Sequence, residues 1–202
     1  MKILNFAGRR LALLALASLL LAGCASAAGA DGHSSHGAHG TSHGSASNAV
    51  SSSGTAADGP SDASLMVCGG QVMGNVVSIL GLESEPHTIN TWSNSTFTCT
   101  YHLPDGDLVV SVQEAADQSS ALNYFDAMQA LAMDARPIEG LANLGFPAYE
   151  TPDGSAVFQK DRMILHVDAS GLPAQLGPEG ITPTAFAYQL STTILACWKE
   201  HP

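Results

Sequence analysis

Four imidazoles crowd one short segment near the amino end of the chain: His33, His36, His39 and His43, at spacings of three, three and four residues. Neutral imidazole is a good ligand for Cu(II), Ni(II) and Zn(II), and a flexible segment can wrap one such ion with several of them. A helix would bring the four close to one face, but the glycines between them oppose a stable helix. Ordering so pliant a segment costs free energy. A site of this kind is therefore weaker than a preformed cage, and it fades below about pH 6 as the rings protonate. A polar spacer that tolerates histidine accounts for the same residues.

Elsewhere the chemistry is sparser. Glu83, Glu85 and His87 share one loop and could hold a metal, although a solvated acidic linker has the same composition. Met residues near 128 to 133 read as core filler rather than copper ligands. His102, His166 and Asp168 fall on the outward positions of two expected strands. An enzyme needs a nucleophile beside a base, paired carboxylates, or a metal with an open position. The chain has no GxSxG, HExxH or P-loop pattern, so no enzyme is expected. Cys68, Cys99 and Cys197 all lie on faces expected to be buried, so any two could meet in a disulfide. Cys68 with Cys99 would close a 32-residue loop, about 3.7 kcal/mol in the chain-entropy model, and Cys68 with Cys197 about 5, too close to decide the pairing.

The first 23 residues specify where these groups are delivered. Lys2, Arg9 and Arg10 precede an uncharged run from Leu11 to Leu21, and small residues follow. This is the order of a secretory signal, and the run is about half the length a membrane span needs. Leu21-Ala22-Gly23-Cys24 resembles the lipobox of bacterial lipoproteins, which implies that Cys24 is lipidated and becomes the first mature residue. Two or more acyl chains then anchor the protein stably to the membrane. No other apolar run approaching 18 residues is expected after Cys24. Residues 24–63 read as a disordered tether, because Ala, Gly, Ser, His and Thr bury too little apolar surface to order themselves. Its root-mean-square reach is about 35 Å.

Removing the leader leaves four basic residues, Arg136, Lys160, Arg162 and Lys199, against 18 carboxylates, a formal charge of −14. Phosphate backbones repel such a chain, so nucleic acid is excluded as a partner.

Residues 64–202 read as one folded domain. A stripe from Leu65 to Leu80 predicts a helix ending at Gly81, weakened by Gly69, Gly70 and Gly74. Phe97, Cys99, Tyr101 and Leu103 alternate inward along a strand, and Leu108, Val110 and Val112 along its partner. Tyr101-His-Leu-Pro-Asp-Gly-Asp-Leu-Val109 matches Tyr149-Glu-Thr-Pro-Asp-Gly-Ser-Ala-Val157 at five positions, which predicts two hairpins of one design. Ser119 or Ser120 should cap a second helix ending near Met133. Residues 163–168 form a further strand, and Thr182 with Pro183 opens the last helix. The expected fold is α+β: a two-layer sandwich of a mostly antiparallel sheet of about five strands with three helices.

Cys68-Gly69, Cys99-Thr-Tyr101, the connection from Gly140 to Tyr149 and the final strand pair together resemble small actinobacterial lipoproteins. Their layout is similar to the extracytoplasmic sensor domains of mycobacterial Ser/Thr kinases. The resemblance implies a Cys68–Cys99 disulfide, departs from the pattern at Cys197, and carries no catalytic residues. The expected function is a membrane-anchored, non-catalytic binding or interaction module on the extracytoplasmic face. Its ligand would be a cell-envelope protein or a small molecule, with its outer sheet face (Thr98, Thr100, His102, Val109, Ser111) as the docking surface. The alternative is a metal-handling lipoprotein capturing Cu(II), Zn(II) or Ni(II) on the His tract.

Overall fold

A computed structural model of the chain describes residues 59–200. Cys24, His33, His36, His39 and His43 lie outside the described residues, with the leader and most of the expected tether.

Ser61 and Asp62, assigned above to the tether, already belong to the fold. The Ser61 side chain accepts from the Ser64 N–H at 3.3 Å and caps a single helical turn, α1 (Asp62–Leu65). A 3-10 turn, Met66–Cys68, follows; Gly69 is then extended before α2 (Gly70–Leu80) begins. The expected first helix is thus two pieces broken at Gly69. Gly81 ends α2 with φ 65, the left-handed C-terminal cap that favours glycine. The stretch 62–80 is long and apolar enough to cross a membrane, contrary to the expectation above. Here it is interrupted at Gly69 and lays Val67, Val72 and Val76 into the protein core.

Seven strands form one antiparallel sheet, where about five were expected. They are β1 (His87–Ser93), β2 (Thr96–Leu103), β3 (Gly106–Glu114), β4 (Arg136–Pro137), β5 (Ala148–Thr151), β6 (Ser155–Lys160) and β7 (Met163–Asp168). Their order is β1-β2-β3-β7-β6-β5-β4, two meanders joined where β3 pairs with β7. The two additional strands are β1 and β4. Asn94 and Ser95 connect β1 to β2 with φ 52 and 58, the positive pair that a type I′ hairpin turn needs.

Helix α3 (Gln118–Leu131) is capped by Asp117, which accepts from Ser120 N–H at 2.7 Å, so the cap sits just before the serines named above. Helix α4 (Pro183–Glu200) starts as expected, with Thr182 accepting from Ala185 N–H at 3.2 Å.

The α+β class holds, but the helices cover both faces. On one face α2 and α4 pack over Phe97, Cys99, Tyr101, Leu108, Val110, Phe158 and Leu165. On the other, α3 packs Ala121 and Phe125 onto Tyr149, Val157 and Ile164. The half built from β5 to β7 therefore has a helix on each side, making three layers where two were expected. The half built from β1 to β3 has helices on one side only, among the described residues.

Candidate functional site

Cys68 and Cys99 form a disulfide with Cα atoms 5.6 Å apart, tying the 3-10 turn to the middle of β2. Next to it the buried Tyr101 hydroxyl donates to the Val67 carbonyl, and burial pushes the Tyr101 phenol far above its ordinary range. Cys197 lies outside this bridge, buried on α4. These contacts fix β2, and β2 in turn positions the uncovered sheet face.

Four rows of side chains cross the outer face of the sheet, the outermost at the Ser93 end being Ser93, Thr96, Gln113, Ile164 and Gln159. The second runs Thr91, Thr98, Ser111, His166, Val157 and Tyr149, and the third Ile89, Thr100, Val109, Asp168, Ser155 and Thr151. The fourth is His87, His102 and Asp107 at the other end. Alternation along each strand is the cause: Cys99 and Tyr101 point to the core, so Thr98, Thr100 and His102 point away. Of the outer face named above, Thr98, Thr100, Val109 and Ser111 are half-buried and His102 exposed.

At the end row the His87 and His102 rings stack with centroids 5.6 Å apart, and His102 Nδ1 lies 2.9 Å from the Asp107 carboxylate. An open cleft of about 560 Å³ adjoins them, lined by Glu83, Ser84, Pro86, His102, Leu103 and Pro104. His87 is thus placed with His102 and Asp107 at the strand end. Among the described residues, no three His, Cys, Asp or Glu side chains gather as a metal site.

His102, His166 and Asp168 do share the outer face, but as separate groups. Val109 stands between the β2 positions and Asp168. Burial holds the His166 imidazole below its ordinary pKa, with Asp168 and Asp153 opposing, so the ring is neutral at pH 7. Burial raises the Asp168 pKa, but hydrogen bonds from Ser170 and Ser155 and attraction to His166 outweigh it and hold the carboxyl below its usual value. Ser170 N–H donates to it at 2.9 Å. Asp168 is thus occupied in fixing the chain where β7 ends.

What the sequence reading missed is β1, which carries the open margin of this face. Its signal was local: Thr, Ile and Trp favour strands, and Asn-Ser suits a tight turn. Compared with known protein families, curated proteins and solved structures, the chain matches none.

Proposed function

We propose that this chain is an extracytoplasmic lipoprotein, held to the cell membrane through lipid on Cys24, whose domain is a non-catalytic binding module of the cell envelope. The reading keeps the likeness to actinobacterial lipoproteins and to the sensor domains of mycobacterial Ser/Thr kinases. The observation that carries it is the sheet half β1–β3, with helices on one side only and its Thr- and Ser-lined outer face uncovered among the described residues. Ser61 is bound to Glu114 at one end of β3, and the cleft and the His87–His102–Asp107 row lie at the other. Nine residues of β3 separate them by about 30 Å. Ser61 and the cleft thus lie at opposite ends of β3.

Two measurements test this. Replacing Cys24 by alanine should release the protein from the membrane fraction; retention would refute the anchor. Photocrosslinkers at Thr98 and Thr100 in intact cells should repeatedly recover one partner, and recovery of bulk envelope proteins alone would refute the module. The metal-handling alternative rests on the spacing of His33, His36, His39 and His43. It predicts that deleting residues 33–43 abolishes binding of Cu(II), Zn(II) or Ni(II) in calorimetric titration.

A further inference from the structure

The two margins of the sheet are built differently. β4 is two residues long and consists of Arg136 and Pro137. A short strand, a charge and a proline are the devices by which proteins blunt an edge against pairing with another chain. β1 has none of them. It runs for seven residues, His87-Thr-Ile-Asn-Thr-Trp-Ser93, pairs with β2 residue for residue without a bulge, and contains no Lys, Arg, Asp, Glu or Pro. Among the described residues nothing pairs with its other side.

The side chains along β1 suit an added strand. Ile89 is 51 % exposed on the outer face, with Thr91 exposed beside it. On the core face Asn90 is exposed and Trp92 is half-buried against the core, so the helical layer stops short of this strand. A further strand would cover Ile89 and the rim of Trp92 and would use the free backbone groups.

Charge selects the occupant. From residue 59 to residue 135 the chain has no Lys or Arg, while Glu83 and Glu85 immediately precede β1 in the chain, Glu83 shares the cleft with His102, and Asp107 lies in the row of His87 and His102. A second copy would bring the same acidic surroundings to the interface, which disfavours self-pairing; a cationic segment gains from them.

We propose that β1 is the docking edge of this domain and that its occupant is an extended, cationic segment of a partner protein, added as an eighth strand. The proposal rests on the binding-module reading and deepens it by naming the partner's chemistry.

The test uses the full-length protein purified in detergent from its own membrane, and blocked octapeptides. One peptide alternates Lys with Val. A second carries Glu in place of Lys, and a third keeps the Lys residues but has Pro in place of Val. The Lys–Val peptide should bind at least tenfold tighter than either control at low salt, with the advantage over the Glu peptide narrowing as salt rises. In hydrogen exchange it should protect alternate amides between His87 and Ser93, the pattern one new neighbour strand produces. Ile89→Lys should weaken it at least tenfold. Glu83→Gln with Glu85→Gln, which leaves the strand untouched, should reduce the preference for Lys several-fold.

Equal binding of the Lys–Val and Pro peptides, or no alternating protection, overturns strand addition. Equal binding of the Lys–Val and Glu peptides overturns the charge assignment. Concentration-dependent protection of β1 without peptide makes a second copy the occupant instead. If the peptides fail while crosslinking in cells still recovers one partner, the edge is wrong and the module reading stands; if both fail, both fall.

Discussion

The amino end of the domain is fastened by one carboxylate, and removing it should loosen the fold in a pH-dependent way. Glu114, at the end of β3, accepts from Ser61 N–H at 2.7 Å and from the Ser64 hydroxyl at 2.6 Å, with Arg162 at 3.6 Å. Its side chain is only 10 % exposed and Ser64 is fully buried. Glu114→Ala leaves the buried hydroxyl and one N–H without their acceptor, at about 1–3 kcal/mol each. The expected loss at pH 7 is therefore about 3 kcal/mol, and about half of that for Glu114→Gln, which keeps a neutral acceptor. Burial raises the Glu114 pKa, but the Ser64 and Ser61 hydrogen bonds and the Arg162 charge outweigh it, so the folded value is depressed. A depressed carboxyl pKa gives stability that is present above the unfolded value, about 4.3, and is lost as pH falls through the folded value. Urea denaturation followed by Trp fluorescence reports this directly, because Trp198 is buried and its indole N–H donates to Ala63 within α1. At pH 7 the Glu114→Ala midpoint should fall by about 1.5 M, for a slope of about 2 kcal/mol/M. As pH falls through the folded Glu114 value the gap from the native sequence should narrow. An equal gap above and below that value, or a loss below about 1 kcal/mol at pH 7, would refute the clasp.

Three further outcomes follow from single contacts. Replacing Cys68 and Cys99 together by alanine should cost about 3.7 kcal/mol by denaturant titration, from the 32-residue loop they close; a loss under about 1 kcal/mol would show that the bridge constrains nothing in the unfolded chain. Gly154 sits at φ 116 with an added Cβ placed 2.6 Å from Pro183 Cβ, so Gly154→Ala should cost about 2 kcal/mol or more on thermal unfolding, and an unchanged Tm would refute the close approach. The His166 pKa is depressed by burial against the pull of Asp168 and Asp153, so its contribution is present above about pH 6.5 and is lost on acidification below it. His166→Gln should flatten the stability curve between pH 7 and pH 5, and an unchanged slope would mean that His166 is solvated.

Much of the central fold was legible because alternation and turn chemistry agreed there. Phe97, Cys99, Tyr101 and Leu103 mark β2 as half-buried, and Pro104-Asp105-Gly106 stops it. Thr182-Pro183 announced α4 for the same local reason. β1 was illegible because an edge strand beyond the helical layer has no buried face to print a pattern. His87, Ile89, Asn90, Thr91 and Ser93 are all exposed, so both sides of the strand are largely polar. β4 is too short for any period and contains a proline. The outer-face histidines were placed correctly by parity, while their partners were not. His102 meets His87 and Asp107 only through pairings across β1 and β3, which no local pattern encodes.

A single extra loop residue enlarges the apolar patch that α3 covers on the outer face. The two Pro-Asp-Gly hairpins share a motif but not a register. Leu103 pairs with Gly106 across a two-residue loop, whereas Thr151 pairs with Ser155 across three. Tyr101 consequently lies opposite Leu108 and points into the core beneath α2 and α4, while Tyr149 lies opposite Val157 and points the other way. Shifting a pairing by one residue exchanges which side chains reach which face. In the second hairpin that exchange adds Tyr149 to the outer face beside Val157, whose counterpart Val109 also faces outward, and Phe125 of α3 meets Tyr149 with ring centroids 5.4 Å apart. In the first hairpin the outer face receives Thr98, Thr100 and Ser111, which need no cover. Register thus adds Tyr149 to the outward-facing Val157 and Ile164 that α3 covers. The same logic predicts that Thr100→Tyr, which adds a tyrosine to the half of the outer face that no helix covers among the described residues, will create an exposed apolar patch with little change in Tm. Increased binding of a hydrophobic dye at constant Tm would verify this, and a loss of several degrees would show that the face is already covered.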